Sequence, residues 1–293
     1  MCHFKTTMKI RLTIILSLLS LTIFAQGNGL YKFRSENGKY GFIDKGGIIK
    51  INANYLITHD FKEGLCFVSK EVIKKGYKWI CIDTLGNEVF DLKDNFPETD
   101  FSEGFARVSS FTEQWFIDKK GENKFAKSWR DGYMEFRNGV AYVSDIQFSD
   151  FYPIDTNGKR IGDKIYSRLE IFDMVKNQKL RDTIIADNLI AFETNKLWGF
   201  KDQEGNVVIK PMYYAVGKFE NGLCAVRTEY TEVVFQGGYF DAIIDTQNKI
   251  VNRSKMYCYM GFKGDLIEYY SGPHFSGGPQ YINKQGQSII PTE

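Results

Sequence analysis

The sequence predicts an all-β fold, a tandem array of about seven three-stranded antiparallel meanders, and three observations predict it. A strand ending in Asp, with Gly three residues later, recurs along the chain. A Phe-x-x-Gly step followed by an alternating apolar run recurs between those strands. The composition leans the same way: of 293 residues, 17 are Tyr, 24 Phe and 27 Gly against only 6 Pro, and aromatics favour strands while Gly marks turns. Hydrophobic residues at 43% and charged residues at 25% are the mix of a chain that buries a core.

Residues 1–25 read as a removable signal peptide. Lys9 and Arg11 precede the apolar run Leu12 to Phe24, and Ala25 offers a small residue for cleavage before Gln26. That run is too short to span a bilayer, which takes about 20 residues. No Cys directly follows it, which argues against a lipid anchor; Cys2 lies on its other side. The expected product is soluble, periplasmic or extracellular, with no stable membrane insertion after cleavage. The whole chain carries +2, and without Lys5, Lys9 and Arg11 it has 35 basic against 36 acidic residues. A balance so close to neutral gives no reason to expect nucleic acid as a partner.

The first repeated element runs through the rest of the chain, residues 26–293. It occurs as Phe42-Ile43-Asp44 with Gly47, Cys81-Ile82-Asp83 with Gly86, Phe116-Ile117-Asp118 with Gly121, and Pro153-Ile154-Asp155 with Gly158. Phe200-Lys201-Asp202 leads to Gly205, Ile243-Ile244-Asp245 to Asn248, and Tyr281-Ile282-Asn283 to Gly286. Asn at 248 preserves a position that tolerates positive φ, so turn geometry is what the spacing keeps. Asp at the start of such a turn is a turn former rather than a ligand-binding group.

The second element appears as Phe61 with Gly64, Phe101 with Gly104, Phe136 with Gly139, Phe219 with Gly222, and in worn form as Ile185 with Asn188 and Phe262 with Asp265. The Asp-to-Gly intervals are 20, 21, 21, 33, 20 and 20, which places an insertion between Gly158 and Asn188, around Lys176 to Asp182. The resulting units are approximately 29–60, 61–100, 101–135, 136–184, 185–218, 219–261 and 262–293. Small-then-branched pairs two and four residues after the Gly, such as Cys66 and Val68, Ala106 and Val108, Ala141 and Val143, Ile190 and Phe192, Cys224 and Val226, mark a packed face. One such unit buries too little to stand alone, so neighbours must cover one another. Open stacking into a β-superhelix, or solenoid, is the first expectation; a closed propeller-like ring is the alternative.

The fifth unit, Lys196-Leu197-Trp198-Gly199-Phe200-Lys201-Asp202 through Gly205, Pro211, Tyr213 and Phe219 to Val226, resembles a full WG repeat. Tyr40-Gly41 is a near copy of the Trp-Gly pair, Trp79-Ile80 keeps only the Trp, and Trp115 lies one place out of register. The resemblance implies a bacterial, often exported repeat protein, and it carries over no catalytic residue.

Chemical constellations are sparse. His59 and His274 lie in different units without metal-ligand spacing. No phosphate loop or nucleophile elbow appears, so no catalytic, cofactor-binding or metal residue is assigned. Trp79 and Trp198 recur in phase and read as packing, whereas Trp129 falls outside the repeat phase beside Arg130 and Asp131 and is the candidate for surface recognition. Cys66 and Cys81 lie on consecutive strands and by alternation share a face, so a disulfide is geometrically open. Cys66 and Cys224 share a repeat position elsewhere taken by Ala or Ile, which favours free buried thiols. The expected function is that of an exported, non-catalytic binding or scaffolding protein whose partner is a protein or an envelope glycan. The alternative is a lectin-like or carbohydrate-active envelope protein.

Overall fold

Two kinds of turn organise the molecule, and both are written in the sequence. The computed structural model describes residues 29–74, 76–147, 150–174, 189–230, 239–272 and 277–292. The leader, His274, Ile185, Asn188 and the Lys176 to Asp182 stretch lie outside them. In the Asp turn the first carboxylate oxygen of Asp44 accepts the amides of Gly46 and Ile48 at 2.9 and 3.0 Å. Asp83, Asp118, Asp155 and Asp245, and Asn283 in the last unit, make the same pair of bonds. Gly47, Gly86, Gly121, Gly158, Gly205, Asn248 and Gly286 all take positive φ, from +65° at Asn248 to +92° at Gly205. This is a three-residue hairpin loop whose last residue sits in the left-handed region.

The Phe-x-x-Gly step is a tighter corner. Lys62 and Leu65 exchange backbone hydrogen bonds of 2.9 and 3.0 Å across Glu63 and Gly64, whose φ values are +51° and +90°. Glu103-Gly104 and Asn221-Gly222 repeat the arrangement. Positive φ at both central residues defines the two-residue hairpin that matches strand twist. The residues just before each corner therefore pair with the run just after it, and part of what reads as linker is strand.

Seven small antiparallel sheets are formed by the described residues, each ordered as a meander. The first holds β1 (Tyr31–Arg34), β2 (Tyr40–Ile43) and β3 (Ile49–Tyr55). The second adds a fourth strand: β4 (Ile57–Thr58), β5 (Leu65–Ile73), β6 (Gly76–Asp83) and β7 (Glu88–Asp91). The third comprises β8 (Phe96–Pro97), β9 (Ala106–Ser109) and β10 (Gln114–Ile117). The fourth comprises β11 (Asp131–Arg137), β12 (Val140–Ser144) and β13 (Tyr152–Ile154), followed by one short helix at 168–174. The fifth is β14 (Ile190–Thr194), β15 (Leu197–Lys201) and β16 (Val207–Tyr213). The sixth is β17 (Ala215–Val216), β18 (Leu223–Arg227), β19 (Ala242–Asp245) and β20 (Ile250–Asn252). The last is β21 (Cys258–Lys263), β22 (Leu266–Tyr270), β23 (Pro279–Asn283) and β24 (Ser288–Ile289). Three of the seven thus have four strands rather than the three expected.

Strand alternation then stacks the sheets face to face. Cys66 and Val68 of β5 pack back onto Phe42, Ile51 and Tyr55 of the first sheet. Leu65 and Phe67, on the other face, pack forward onto Phe101, Ala106 and Val108 of the third. Cys224 and Val226 look back to the fifth sheet, while Leu223 and Ala225 look forward to the last. Ile190 departs from the pattern, being 45% exposed. The backward face of the first sheet, Tyr31 and Phe33, is covered by Leu266 and Tyr281 of the last. Ile48 and Thr292 form a parallel bridge at the same seam. The first and last sheets are thus in contact.

The glycine of the Trp-Gly pair has a local reason. A Cβ on Gly199 would lie 2.4 Å from the Ile209 carbonyl oxygen, and one on Gly41 would lie 2.5 Å from that of Ile51. In both places the outer strand bulges towards the glycine, with Trp198 opposite Tyr213 but Phe200 opposite Ile209. Only a residue without a side chain lets the backbone come so close.

Candidate functional site: charged groups where the first, second and last sheets meet

The third residue after each tight corner faces the next sheet. Phe67, Ala191 and Ala225 occupy it in three sheets, but Lys32, Arg107 and Glu268 occupy it in three others. These charges mark the polar clusters between sheets. Around Lys32, Asp60 from the approach to the corner after β4 lies 3.3 Å from the Lys32 ammonium and also contacts Lys263 at the end of β21. Lys263 reaches Glu268 of β22 at 3.3 Å, and the Tyr270 hydroxyl donates to the same carboxylate at 3.2 Å. The Tyr281 hydroxyl donates to the Lys32 carbonyl at 3.0 Å.

The electrostatics are self-contained. Side-chain exposure is 8% at Glu268, 19% at Lys32, 23% at Lys263 and 29% at Asp60, so water screens the group only in part. Burial alone would raise the Asp60 carboxyl, but the two lysines outweigh it and hold it below the usual carboxylate range. Burial would lower Lys32, but Asp60 and Glu268 outweigh it and raise the ammonium. Burial, aided by Glu268, pushes the Tyr270 phenol upward, so it stays a donor. Two ammoniums and two carboxylates cancel.

A second cluster joins the third and fourth sheets. Arg107 is 7% exposed, its amide donates to the Thr99 hydroxyl at 2.9 Å and its guanidinium donates to Gln114. Its Nε has no hydrogen-bond partner among the described residues. Burial pulls the guanidinium down, against Glu98, Asp131 and Glu135, which favour its charge. Gly132 makes room for it, because a Cβ there would sit 2.8 Å from the Arg107 Cδ. Between the second and third sheets, His59 Nδ1 lies 2.7 Å from Asp100, with its ring edge-on to Trp79. His59 is thus an inter-sheet contact.

Trp129 is not a surface residue and the expectation is corrected. It is 2% exposed, packed with Phe116, Phe136 and Tyr152, and its indole N–H donates to the Tyr152 hydroxyl at 3.1 Å. Its polar neighbours Arg130 and Asp131 do not report which way the Trp129 side chain turns. Trp79 and Trp198 both pack against the cores between sheets. Cys66 pairs with Ile82 and Cys81 with Phe67, so the two thiols lie on opposite faces of their hairpin, not the same one. A disulfide between them is excluded by register. All four described cysteines are buried. No group of three His, Cys, Asp or Glu able to hold a metal occurs among the described residues, and no helix among them is long and apolar enough to cross a membrane.

Small meander sheets linked by one recurring pair of turns define a β-repeat protein. The pattern of the WG containing repeat matches residues 198–231, so the segment that holds Trp198-Gly199 carries a WG repeat. No curated protein matches the chain. Among solved structures it is similar to a streptogramin B lyase, at 14% identity over 93% of this chain and 86% of that one, with a TM-score of 0.31. It is also similar to Kluyveromyces lactis Hsv2, at 10% identity over 77% of this chain, with a TM-score of 0.24. The chain spans 59% of the length of that Hsv2 chain. Likenesses this distant carry no argument about fold or function.

Proposed function

We propose that the chain is an exported, non-catalytic binding or scaffolding protein whose seven units close into a propeller-like ring. The observation that carries the reading is the burial of Tyr31 and Phe33 by Leu266 and Tyr281, 4% and 6% exposed at the start of the chain and 1% at both residues near its end. Closing a repeat array removes the two end faces that an open one must cap. The charged groups where the first, second and last sheets meet pair with one another, which leaves recognition to exposed loops on a stiff frame. A compact ring of this length has a radius of gyration of roughly 18 Å; small-angle scattering of residues 26–293 near that value supports closure, and a much larger one overturns it. For binding, immobilised mature chain is expected to retain one envelope component saturably. Turnover of a screened substrate would overturn the non-catalytic reading.

An exposed aromatic pair favours the glycan alternative as a second reading. Tyr230 is 68% exposed and stands edge-on to Tyr214 at 5.6 Å, a surface on which a sugar ring can stack. A glycan-array signal lost on Tyr230→Ala would establish it, and an array without signal would dismiss it.

A further inference from the structure

Among the interfaces between sheets, the seam between first and last is built differently. Its buried apolar cluster holds five residues, Tyr31, Phe33, Ile43, Leu266 and Tyr281, against nine between the second and third sheets. A groove of about 370 Å³ runs along it, lined by Phe33, Ile43 and Tyr269 among others. Apolar contact is therefore sparser at this seam than between the second and third sheets.

The charges sit at that place. Asp60 lies between β4 and the tight corner of the second sheet and Lys263 belongs to the last sheet, yet they touch, and Lys32 of the first sheet meets the same Asp60 oxygen. A contact that reaches over an intervening sheet ties three sheets at once. We infer that Asp60, Lys32, Lys263 and Glu268 form an electrostatic latch that holds the first and last sheets together. This rests on the ring reading. Removing one member leaves its partners as partly buried, uncompensated charges, so the latch fails as a unit. Asp60 is faced by Lys32 from β1, Cys66 from β5, Lys263 from β21, Tyr270 from β22 and Tyr281 from β23, while Tyr40 from β2 and Glu268 from β22 face Lys32. A lowered carboxyl contributes stability that is present above the ordinary carboxylate range and lost as pH falls through its own pKa. The raised Lys32 contributes stability that is lost only as pH rises past the ordinary lysine range. The latch is thus closed from about pH 4 to about pH 10 and is not a neutral-pH switch.

The test separates the ring from the latch. Ile48→Cys with Thr292→Cys places two thiols on a bridged pair, and Ile48 is 48% exposed, so the change is mild. If the ends meet, oxidation of the folded double variant crosslinks them; failure to crosslink overturns the ring. In the uncrosslinked chain, Asp60→Asn is expected to speed amide exchange in β1 and β22 about tenfold or more while leaving β18 and β19 unchanged. Lys263→Met is expected to do the same, and the crosslink to abolish both effects. A crosslink that forms while Asp60→Asn leaves β1 exchange unaltered, or speeds every sheet alike, overturns the latch and spares the ring.

Discussion

The interface between the fifth and sixth sheets and the seam between the last and first solve the same packing problem with different chemistry. The former is mainly apolar: Phe200, Phe219, Cys224, Val226, Ala242 and Ile244 are at most 1% exposed, with one polar contact from the Tyr213 hydroxyl to Asn248. The seam substitutes tyrosines, a groove and a set of ion pairs. Interfaces between consecutive units join near neighbours in sequence, whereas the seam joins residues more than two hundred positions apart and so carries a larger loop-closure entropy. Directional polar contacts suit such a closure, since they specify one alignment where apolar contact alone accepts many.

The largest expected effect breaks the apolar side of the comparison. Val226→Asp buries an unpaired charge at a fully enclosed site and is expected to cost about 3–5 kcal/mol. A thermal melt matching the parent's would refute the packing described for the sixth sheet. Next come two glycines that differ only in their surroundings. Gly199→Ala must displace the bulge of β16 and is expected to cost about 1–3 kcal/mol. Gly205→Ala meets nothing within 4 Å and loses only through its φ of +92°, about 1 kcal/mol or slightly more. Urea titration ranks the two, and a reversed order would contradict the close approach at the Trp-Gly pair.

Smaller still is the removal of one polar contact at the seam. Tyr281→Phe gives up the bond to the Lys32 carbonyl and is expected to cost about 1 kcal/mol, read from the denaturation midpoint. Thiol chemistry checks the interior without a mutation. Burial pushes the Cys81 thiol up to about 12, so the folded chain should resist alkylation at pH 8 and react fully in urea. Rapid labelling of the native chain would show that the second sheet opens. The mildest effect is in acid. Backbone amides of Lys159 and Asn157 hold the Asp155 carboxyl below its usual range, so its contribution is present above about pH 4 and fades as pH falls through the lowered value. Asp155→Asn should flatten that part of the pH profile of the melt.

Much of the fold was legible because its corners are local. Asp155 and Gly158, or Phe61 and Gly64, announce a hairpin through residues that tolerate or require particular φ values, and alternation then assigns faces. The short strand before each tight corner was not legible, since two residues such as Ile57 and Thr58 carry no periodicity. The burial of Trp129 was not legible either, because its flanks are polar. The candidate site was half visible: Lys32, Arg107 and Glu268 interrupt a position held elsewhere by Phe67, Ala191 and Ala225, yet nothing near Lys32 names Asp60 or Lys263 as its partners.

What the sequence determined by itself is the all-β class, the turn chemistry and the two-faced packing of each unit, because backbone dihedral preference and period-two burial act over a few residues. Tertiary structure alone decided that the ends touch, that Cys66 and Cys81 face apart, and which charges neutralise which. Those outcomes depend on strand register and on distances between residues far apart along the chain, and local preference carries no record of either.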